Sequence, residues 1–248
     1  SHYAMQDLKI LAENRPVIFY DQLGCGKSDR PTDTSLWTID RFVEELKQIR
    51  DALSLEEFHI LGHSWGTTLA AQYYFTYPEG VKSIIFSSPC LSAPMWAADQ
   101  EENKKLLPLD VQETLARCEA NGTTDSKEYK EATAIFNKHF VCRLDPLTEF
   151  LAKGRQYKNP GVYNIMWGPS EFHVTGNLKS FDCTGQLTEI KIPTLYTCGR
   201  YDEATPKSTE YFSSLTLNGK FHVFEESAHM PYIEEPEEYV KVMNEFLK

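Results

Sequence analysis

The feature that most constrains this chain is a serine held between two glycines at the end of an apolar run. Residues 58–61 are largely apolar and lead into Gly-x-Ser-x-Gly at residues 62–66, and a helix-like stretch follows over residues 68–77. This is the strand–turn–helix context of a nucleophile elbow. Both glycines are expected to be needed, because a sharp turn leaves no room for bulk beside the serine. The pattern therefore predicts that Ser64 is a catalytic nucleophile.

The segments around this corner alternate between strand-like and helix-like patterns. Short apolar runs predict buried strands, and apolar residues at helical spacing predict the helices between them. A strand–helix–strand–helix–strand order indicates an α/β fold, with a parallel sheet joined by crossover helices. The predicted segments are a helix over 1–14, a buried strand over 16–20, a helix over 38–53, a strand over 58–61, a helix over 68–77 and a strand over 81–87.

The character of the chain changes near residue 93. Charged helical stretches without a convincing buried strand run from there to about residue 188, and the sheet pattern resumes at 192–198. A helical block between two sheet strands is typical of a cap inserted above the strand ends. We therefore predict three parts: residues 1–92 as the first part of the core, 93–188 as a helical cap, and 189–248 as the second part of the core.

A serine nucleophile needs a base, and the base needs a carboxylate that fixes its tautomer. In folds with this elbow the order is serine, then acid, then histidine, each after a strand. Asp202 follows the strand at 192–198, and His229 follows the next strand. The sequence predicts a triad of Ser64, Asp202 and His229, with Glu203 left open as an alternative acid. His59, His63, His139, His173 and His222 fit the position of the base less well.

Composition and spacing exclude several other functions. The net charge of −11 argues against binding to nucleic acid or to an anionic membrane surface. Six cysteines without a C-x-x-C pair argue against a zinc site and favour reduced thiols in the cytoplasm. The Gly-Lys-Ser at residues 26–28 is not a phosphate-binding loop, because Asp21 stands where that loop requires glycine. We expect no metal and no cofactor.

Five segments together resemble the prolyl iminopeptidase (proline aminopeptidase) family of α/β-hydrolases. The resemblance covers essentially the whole chain, and the combination of segments is far more specific than the elbow, which many esterases share. The segments are Gly62-His63-Ser64-Trp65-Gly66, Asp21-Gln22-Leu23-Gly24-Cys25-Gly26-Lys27-Ser28, Trp167-Gly168-Pro169-Ser170-Glu171-Phe172, Gly199-Arg200-Tyr201-Asp202-Glu203 and Ser227-Ala228-His229.

The resemblance implies release of an N-terminal residue, typically proline, from a short peptide or an amino-acid amide with a free N-terminus. In this family acidic residues bind the α-ammonium of the substrate, and by motif position these are Glu171 and Glu203. The acyl-enzyme would form on Ser64. The backbone N–H of Trp65 would be one donor of the oxyanion hole.

The chain departs from the family pattern at its beginning. The family's His-Gly-Gly-Pro-Gly loop, which supplies the second oxyanion donor, does not occur here, and neither do the first strands of the sheet. We therefore expect that a further N-terminal segment or chain completes the site, and that this polypeptide alone is poorly active.

Two alternatives stay open at this level. An amino-acid amidase or carboxylesterase could use the same scaffold, although hydrolysis of a neutral ester would not need Glu171 and Glu203. A catalytically silent, hydrolase-like binding protein is the other alternative. The intact set of Ser64, Asp202 and His229 argues against it, and the missing loop argues for it.

Overall fold

A four-stranded parallel sheet lies at the centre of the computed structural model, which describes residues 1–248. The strands are hydrogen-bonded in the order β1-β2-β3-β4, and all three pairings are parallel. β2 and β3 are almost entirely buried, as expected for central strands covered on both faces. The strands are β1 Phe58–Ser64, β2 Val81–Pro89, β3 Thr194–Gly199 and β4 Gly219–Phe224.

Ten α-helices and three 3₁₀ helices surround this sheet. The α-helices are α1 Ile39–Ala52, α2 Trp65–Thr76, α3 Ala93–Lys104, α4 Leu109–Asn121, α5 Lys127–Phe140, α6 Glu149–Gln156, α7 Pro160–Met166, α8 Pro206–Ser214, α9 Pro231–Glu234 and α10 Pro236–Phe246. The 3₁₀ helices are His2–Glu13, Thr34–Leu36 and Thr184–Glu189. None of the α-helices is long and apolar enough to cross a membrane.

The two faces of the sheet carry separate hydrophobic cores. Side chains of adjacent strand residues point to opposite faces, and on β2 Ile84 belongs to one core and Ile85 to the other. The core on the first face includes residues of α1, α2 and α8. The core on the second face includes residues of the first 3₁₀ helix, α6, α9 and α10. Helices therefore enclose the sheet on both sides, and ligands can approach it at the strand ends.

The carboxyl ends of the parallel strands bring the predicted site residues to one edge of the sheet. Ser64 is the last residue of β1, Asp202 follows β3 and the loop carrying His229 follows β4. Because neighbouring parallel strands end at the same edge, residues far apart in sequence become neighbours in space. The α/β arrangement predicted from the sequence is the one observed.

The segment Pro16–Tyr20 corrects the sequence prediction. It was expected to form a buried strand, but the structure has no strand there, and Ile18 is 49% exposed. A β-prone segment becomes a strand only where a neighbouring strand supplies hydrogen bonds, and β1, the outermost strand on that side, pairs only with β2. The first helix also differs from a simple α-helix, because His2–Glu13 is wound as a 3₁₀ helix.

Five of the helices, α3 to α7, lie in the chain between β2 and β3, where the sequence predicts a cap. Part of this region has its own core of aromatic side chains. Phe136 is fully buried, and its ring lies 4.4 Å from that of Phe172 and 4.9 Å from that of Phe140. The division into 1–92, 93–188 and 189–248 remains a prediction, since helix positions alone do not establish independent domains.

The aromatic core of this region can be tested by comparing two adjacent positions on α5. We expect Phe136→Ala to lower the free energy of unfolding by about 3–5 kcal/mol, because it removes a large side chain from a filled interior. Ile135→Ala is the matched control, because Ile135 is 38% exposed. This change should lower the free energy of unfolding by less than about 1 kcal/mol. Urea unfolding measures both, and equal losses would contradict this account of the core.

Candidate active site

The backbone at Ser64 is strained. Its φ of 53° and ψ of −121° lie in a region that residues with a side chain rarely adopt. β1 ends at this residue, α2 begins at the next one, and the pairing register with β2 shifts between His63 and Ser64. Strain of this kind persists only where the surroundings enforce it, and it is concentrated at functional sites. The corner has the strand–turn–helix geometry predicted for a nucleophile elbow.

Of the two glycines in the elbow, only Gly62 has no room for a side chain. A Cβ atom on Gly62 would lie 2.2 Å from the carbonyl oxygen of Gly66, which is far inside contact distance. A Cβ on Gly66 would meet nothing within 4 Å. The expectation that both positions exclude bulk is therefore corrected for Gly66, whose contribution to the close approach is its backbone carbonyl.

His229 and Asp202 form a buried pair beside this corner. Nδ1 of His229 lies 2.7 Å from Oδ1 of Asp202, and both side chains are almost completely buried. The carboxylate of Asp202 also accepts the backbone N–H of Ala204 at 2.8 Å and that of Gly199 at 3.2 Å. Burial opposes the charged form of His229, but the charge and hydrogen bond of Asp202 outweigh it, so the pKa of His229 is raised.

The other ring nitrogen of His229 faces a second carboxylate. Nε2 lies 3.7 Å from Oε1 of Glu203, and no hydrogen bond joins His229 to Ser64 Oγ in this structure. Hydrogen bonds between base and nucleophile are often long in a free enzyme and shorten when substrate binds. The two acids that the sequence left open thus lie on opposite sides of the base, with Asp202 at Nδ1.

Glu203 has no partner for its charge. It is fully buried, and neither carboxylate oxygen has a hydrogen-bond donor. Burial, together with the negative charges of Glu171 and Asp202, raises the pKa of Glu203 well above its usual value. Glu171 is more open, and its carboxylate lies 3.9 Å from Nζ of Lys158.

The segment carrying Glu171 is fixed through its backbone. The indole N–H groups of Trp96 and Trp167 both donate to the carbonyl oxygen of Glu171, at 2.8 and 3.2 Å. Trp96 also packs with the edge of its ring against His229, with the ring centres 5.8 Å apart. Sequence reasoning missed Trp96, because a tryptophan on a charged helix has no pattern that marks it as part of a site.

A cavity of about 170 Å³ opens beside Ser64. Apolar and aromatic side chains make up most of its wall, and Glu171 contributes a carboxylate to it. Among the lining residues are Trp65, Trp96, Val162, Tyr163, Met166 and Trp167. The indole of Trp65 is held by a hydrogen bond to Gln22 Oε1 at 3.2 Å. The cavity can therefore hold a small apolar group with a cation at one side.

Trp65 also offers its backbone. It is the first residue of α2, so its N–H is one of the N-terminal amides that have no acceptor within the helix. Such amides favour developing negative charge. The role of Trp65 as an oxyanion donor stays a prediction.

Comparison with known proteins shows which family and fold the chain resembles. Residues 8–236 match the family described as alpha/beta hydrolase fold. The proline iminopeptidase of Heyndrickxia coagulans is 68% identical over 248 residues, which is all of this chain and 86% of the relative. The proline iminopeptidase of Clostridium botulinum is 38% identical over 241 residues, covering 96% of this chain and 82% of the relative.

Solved structures give the same result. The crystal structure of proline iminopeptidase from Mycobacterium smegmatis has a TM-score of 0.92 and 34% identity, over 100% of this chain and 85% of that one. The crystal structure of VinJ has a TM-score of 0.96 and 34% identity, over 100% of this chain and 86% of that one. The chain belongs to the proline iminopeptidase family of α/β-hydrolases. The family and fold predicted from the sequence are confirmed.

In this α/β-hydrolase, two consecutive glutamates hold the loop that carries His229. Glu234 Oε2 accepts the backbone N–H of Ala228 at 2.9 Å and that of Met230 at 3.2 Å, while Oε1 accepts the N–H of Arg143 at 2.7 Å. Glu235 Oε2 accepts the N–H of Glu226 and the hydroxyl of Ser227. Sequence reasoning missed this role, since two glutamates before a helix read as ordinary first-turn acids.

The elbow geometry predicts opposite outcomes for its two glycines. Gly62→Ala should lower the free energy of unfolding by about 3 kcal/mol, because the new methyl group must displace the backbone of α2. Gly66→Ala is the matched control and should leave stability unchanged or raise it by up to about 1 kcal/mol, since the space is open and alanine favours helix. Urea unfolding decides the matter, and a larger loss for Gly66→Ala would refute this packing account.

The hydrogen bonds of Glu234 and Glu235 to the loop of His229 predict different outcomes for replacing each glutamate with glutamine. Glu234→Gln should slow labelling of Ser64 by a fluorophosphonate at least about tenfold, because an amide accepts hydrogen bonds at one end only, so it cannot hold the loop of His229 and the N–H of Arg143 at the same time. Glu235→Gln should label at nearly the original rate, since one amide oxygen can accept both of the bonds that Glu235 accepts. Equal labelling of both variants, with unchanged stability, would show that Glu234 does not position the loop.

Proposed function

We propose that this chain is a serine aminopeptidase that releases an N-terminal residue, preferably proline, from peptides through an acyl-enzyme. The observation that carries the proposal is a pair of carboxylates: Glu171 lines the small, mostly apolar cavity that also contains Ser64, and Glu203 lies 3.7 Å from Nε2 of His229. The names of relatives up to 68% identical support the same activity. The substrate would be a short peptide or an amino-acid amide with a free N-terminus.

Catalysis would begin with His229 taking the proton of Ser64 Oγ as that oxygen attacks the scissile carbonyl. Asp202, hydrogen-bonded to Nδ1, keeps the imidazole in the tautomer that can accept a proton at Nε2 and stabilises the imidazolium that forms. The backbone N–H of Trp65 would donate to the developing oxyanion. Protonated His229 then gives its proton to the leaving amine, and water deprotonated by the same base releases the amino acid.

Recognition of the free N-terminus would rest on charge. An exopeptidase must hold the α-ammonium at a fixed distance from the scissile carbonyl, and a partly or fully buried carboxylate does so through charge-assisted hydrogen bonds. Glu203 lies close to the Nε2 atom of the proposed base, and Glu171 lines the cavity that also contains Ser64. Two carboxylates near the reacting atoms are difficult to explain for an enzyme that acts on neutral esters.

The cavity favours a compact apolar group in the first substrate position. A volume of about 170 Å³ with walls formed by indole and aliphatic side chains suits a five-membered ring and leaves little room for a long side chain. This is the support for proline as the preferred residue. The six cysteines are all free, which supports a reducing compartment, and we propose the cytoplasm.

Two rival functions are weaker. A carboxylesterase or general amidase would have no use for two carboxylates, one of them fully buried, near its acyl site. A silent binding protein would have no need to maintain the strained backbone of Ser64 or the buried bond between His229 and Asp202. Both rivals predict outcomes that differ from ours in one experiment.

The test compares nitroanilides of proline, of N-acetylproline and of cyclopentanecarboxylic acid, which keeps the ring but lacks the amine. We expect kcat/KM to fall at least about a hundredfold without the charged amine, because the charge-assisted hydrogen bonds between the ammonium and the carboxylates would be lost. Ser64→Ala should abolish turnover of all three. Equal cleavage of the prolyl and cyclopentyl compounds would support an esterase or amidase, and no Ser64-dependent cleavage of any would support a silent protein.

A further inference from the structure

The carboxylate of Glu203 has an unusual environment for a group expected to be ionised. It is completely buried, and neither Oε1 nor Oε2 has a hydrogen-bond donor. Nε2 of His229 lies 3.7 Å from Oε1, beyond hydrogen-bond distance. A buried carboxylate without hydrogen-bond donors is ionised only if a nearby cation stabilises its charge, because the loss of its hydration shell costs several kcal/mol or more.

The neighbouring charged groups increase this cost instead of reducing it. Asp202 precedes Glu203 in the same loop, and Glu171 adds a second negative charge from the segment between β2 and β3. Lys158 is the one cation whose charge acts on Glu203, and its Nζ is paired with Glu171. The amide of Gln100 donates only to the backbone carbonyl of Glu203.

The groups around His229 lead to the same conclusion. Asp202 holds its Nδ1, and the negative charges of Glu171 and Glu234 also act on the ring. His63 packs against it with ring centres 4.8 Å apart, and burial together with His229 lowers the pKa of His63 well below its usual value, so His63 is neutral. Burial raises the pKa of Tyr163, another neighbour of the two glutamates, so this phenol adds no charge.

We propose that in the empty site Glu203 and His229 together hold one extra proton, and that the α-ammonium of the substrate displaces it. The proton resides either on the carboxyl of Glu203 or on Nε2 of His229, with the same total charge. When the ammonium enters, Glu203 becomes its carboxylate partner, the shared proton leaves to solvent from whichever group held it, and His229 is then neutral. This inference rests on the proposed function.

The consequence is that the group that identifies the substrate also prepares the base. His229 can accept the proton of Ser64 only when it is neutral, and the binding of the cation favours that state. Burial raises the pKa of Glu203 well above its ordinary range, and Asp202 raises that of His229, so the pair retains its proton at a higher pH than either isolated side chain would. A neutral ligand, which cannot replace the proton, should leave the protonation state unchanged.

The sign of the pH dependence follows from competition. Below the pKa of the pair the site must lose a proton before it binds an ammonium, so affinity rises with pH, up to tenfold for each unit. Above that pKa the proton is already gone, and affinity becomes independent of pH for as long as the ligand amine stays charged. The acid limb of kcat/KM, which reports the free enzyme, should therefore lie at a higher pH than the acid limb of kcat.

Titration calorimetry of the Ser64→Ala chain with prolinamide tests this without turnover. At about pH 6 the amine is charged, and the enthalpy is measured in two buffers of different ionisation enthalpy. We expect release of a proton, up to about one per ligand bound, and affinity that rises between pH 5.5 and 6.5 by at most about tenfold, the limit for release of one proton. Adding Glu203→Gln should abolish the release. Glu171→Gln is the matched control, which should weaken binding and retain the release.

The outcomes separate the inference from the function on which it rests. Binding of prolinamide without proton release, and with affinity that does not change with pH, would overturn the inference and leave the proposed function intact. No preference for prolinamide over the uncharged cyclopentanecarboxamide would refute ammonium recognition, and with it both proposals. If Glu203→Gln does not fold, the pH dependence of the Ser64→Ala chain still decides.

Discussion

The close approach between the end of β1 and the start of α2 is the constraint on which the site depends. The carbonyl of Gly66 occupies the space where a side chain at residue 62 would lie, and Ser64, between these two glycines, has a φ of 53° that few residues with a side chain adopt. A strained residue exposes its side chain at the edge of the sheet instead of burying it in the core. The parallel strands then bring Asp202 and His229 to the same edge, since each follows the end of a neighbouring strand.

Charge balance is the second constraint, and it acts through burial. Asp202 can be an anion inside the protein because it accepts three hydrogen bonds, from His229 and from the N–H groups of Gly199 and Ala204. Glu203, the next residue, accepts none on its carboxylate. Two adjacent acids with equal burial thus differ completely in their compensation. The charge of Asp202 is compensated within the protein, whereas under the proposed function the ammonium of the substrate would compensate the charge of Glu203.

Much of this arrangement could be predicted from the sequence, because it depends on local patterns. Helical spacing predicted α1 to within one residue at each end, and Gly-x-Ser-x-Gly predicted the corner at Ser64. The strand predicted at Pro16–Tyr20 was wrong because a strand also needs a hydrogen-bonding partner, and the composition of a segment does not reveal one. The prediction that Gly66 has no room for a side chain was wrong because the two glycines of the motif have different surroundings.

The roles that sequence reasoning missed are long-range. Glu234 holds both the loop of His229 and the backbone of Arg143, which follows α5, so a single carboxylate ties the position of the base to the segment between β2 and β3. Trp96 on α3 contacts His229 and at the same time fixes the carbonyl of Glu171. Both residues connect the base to the region that carries an ammonium-binding candidate. A displacement of that region would therefore move Glu171 and His229 together.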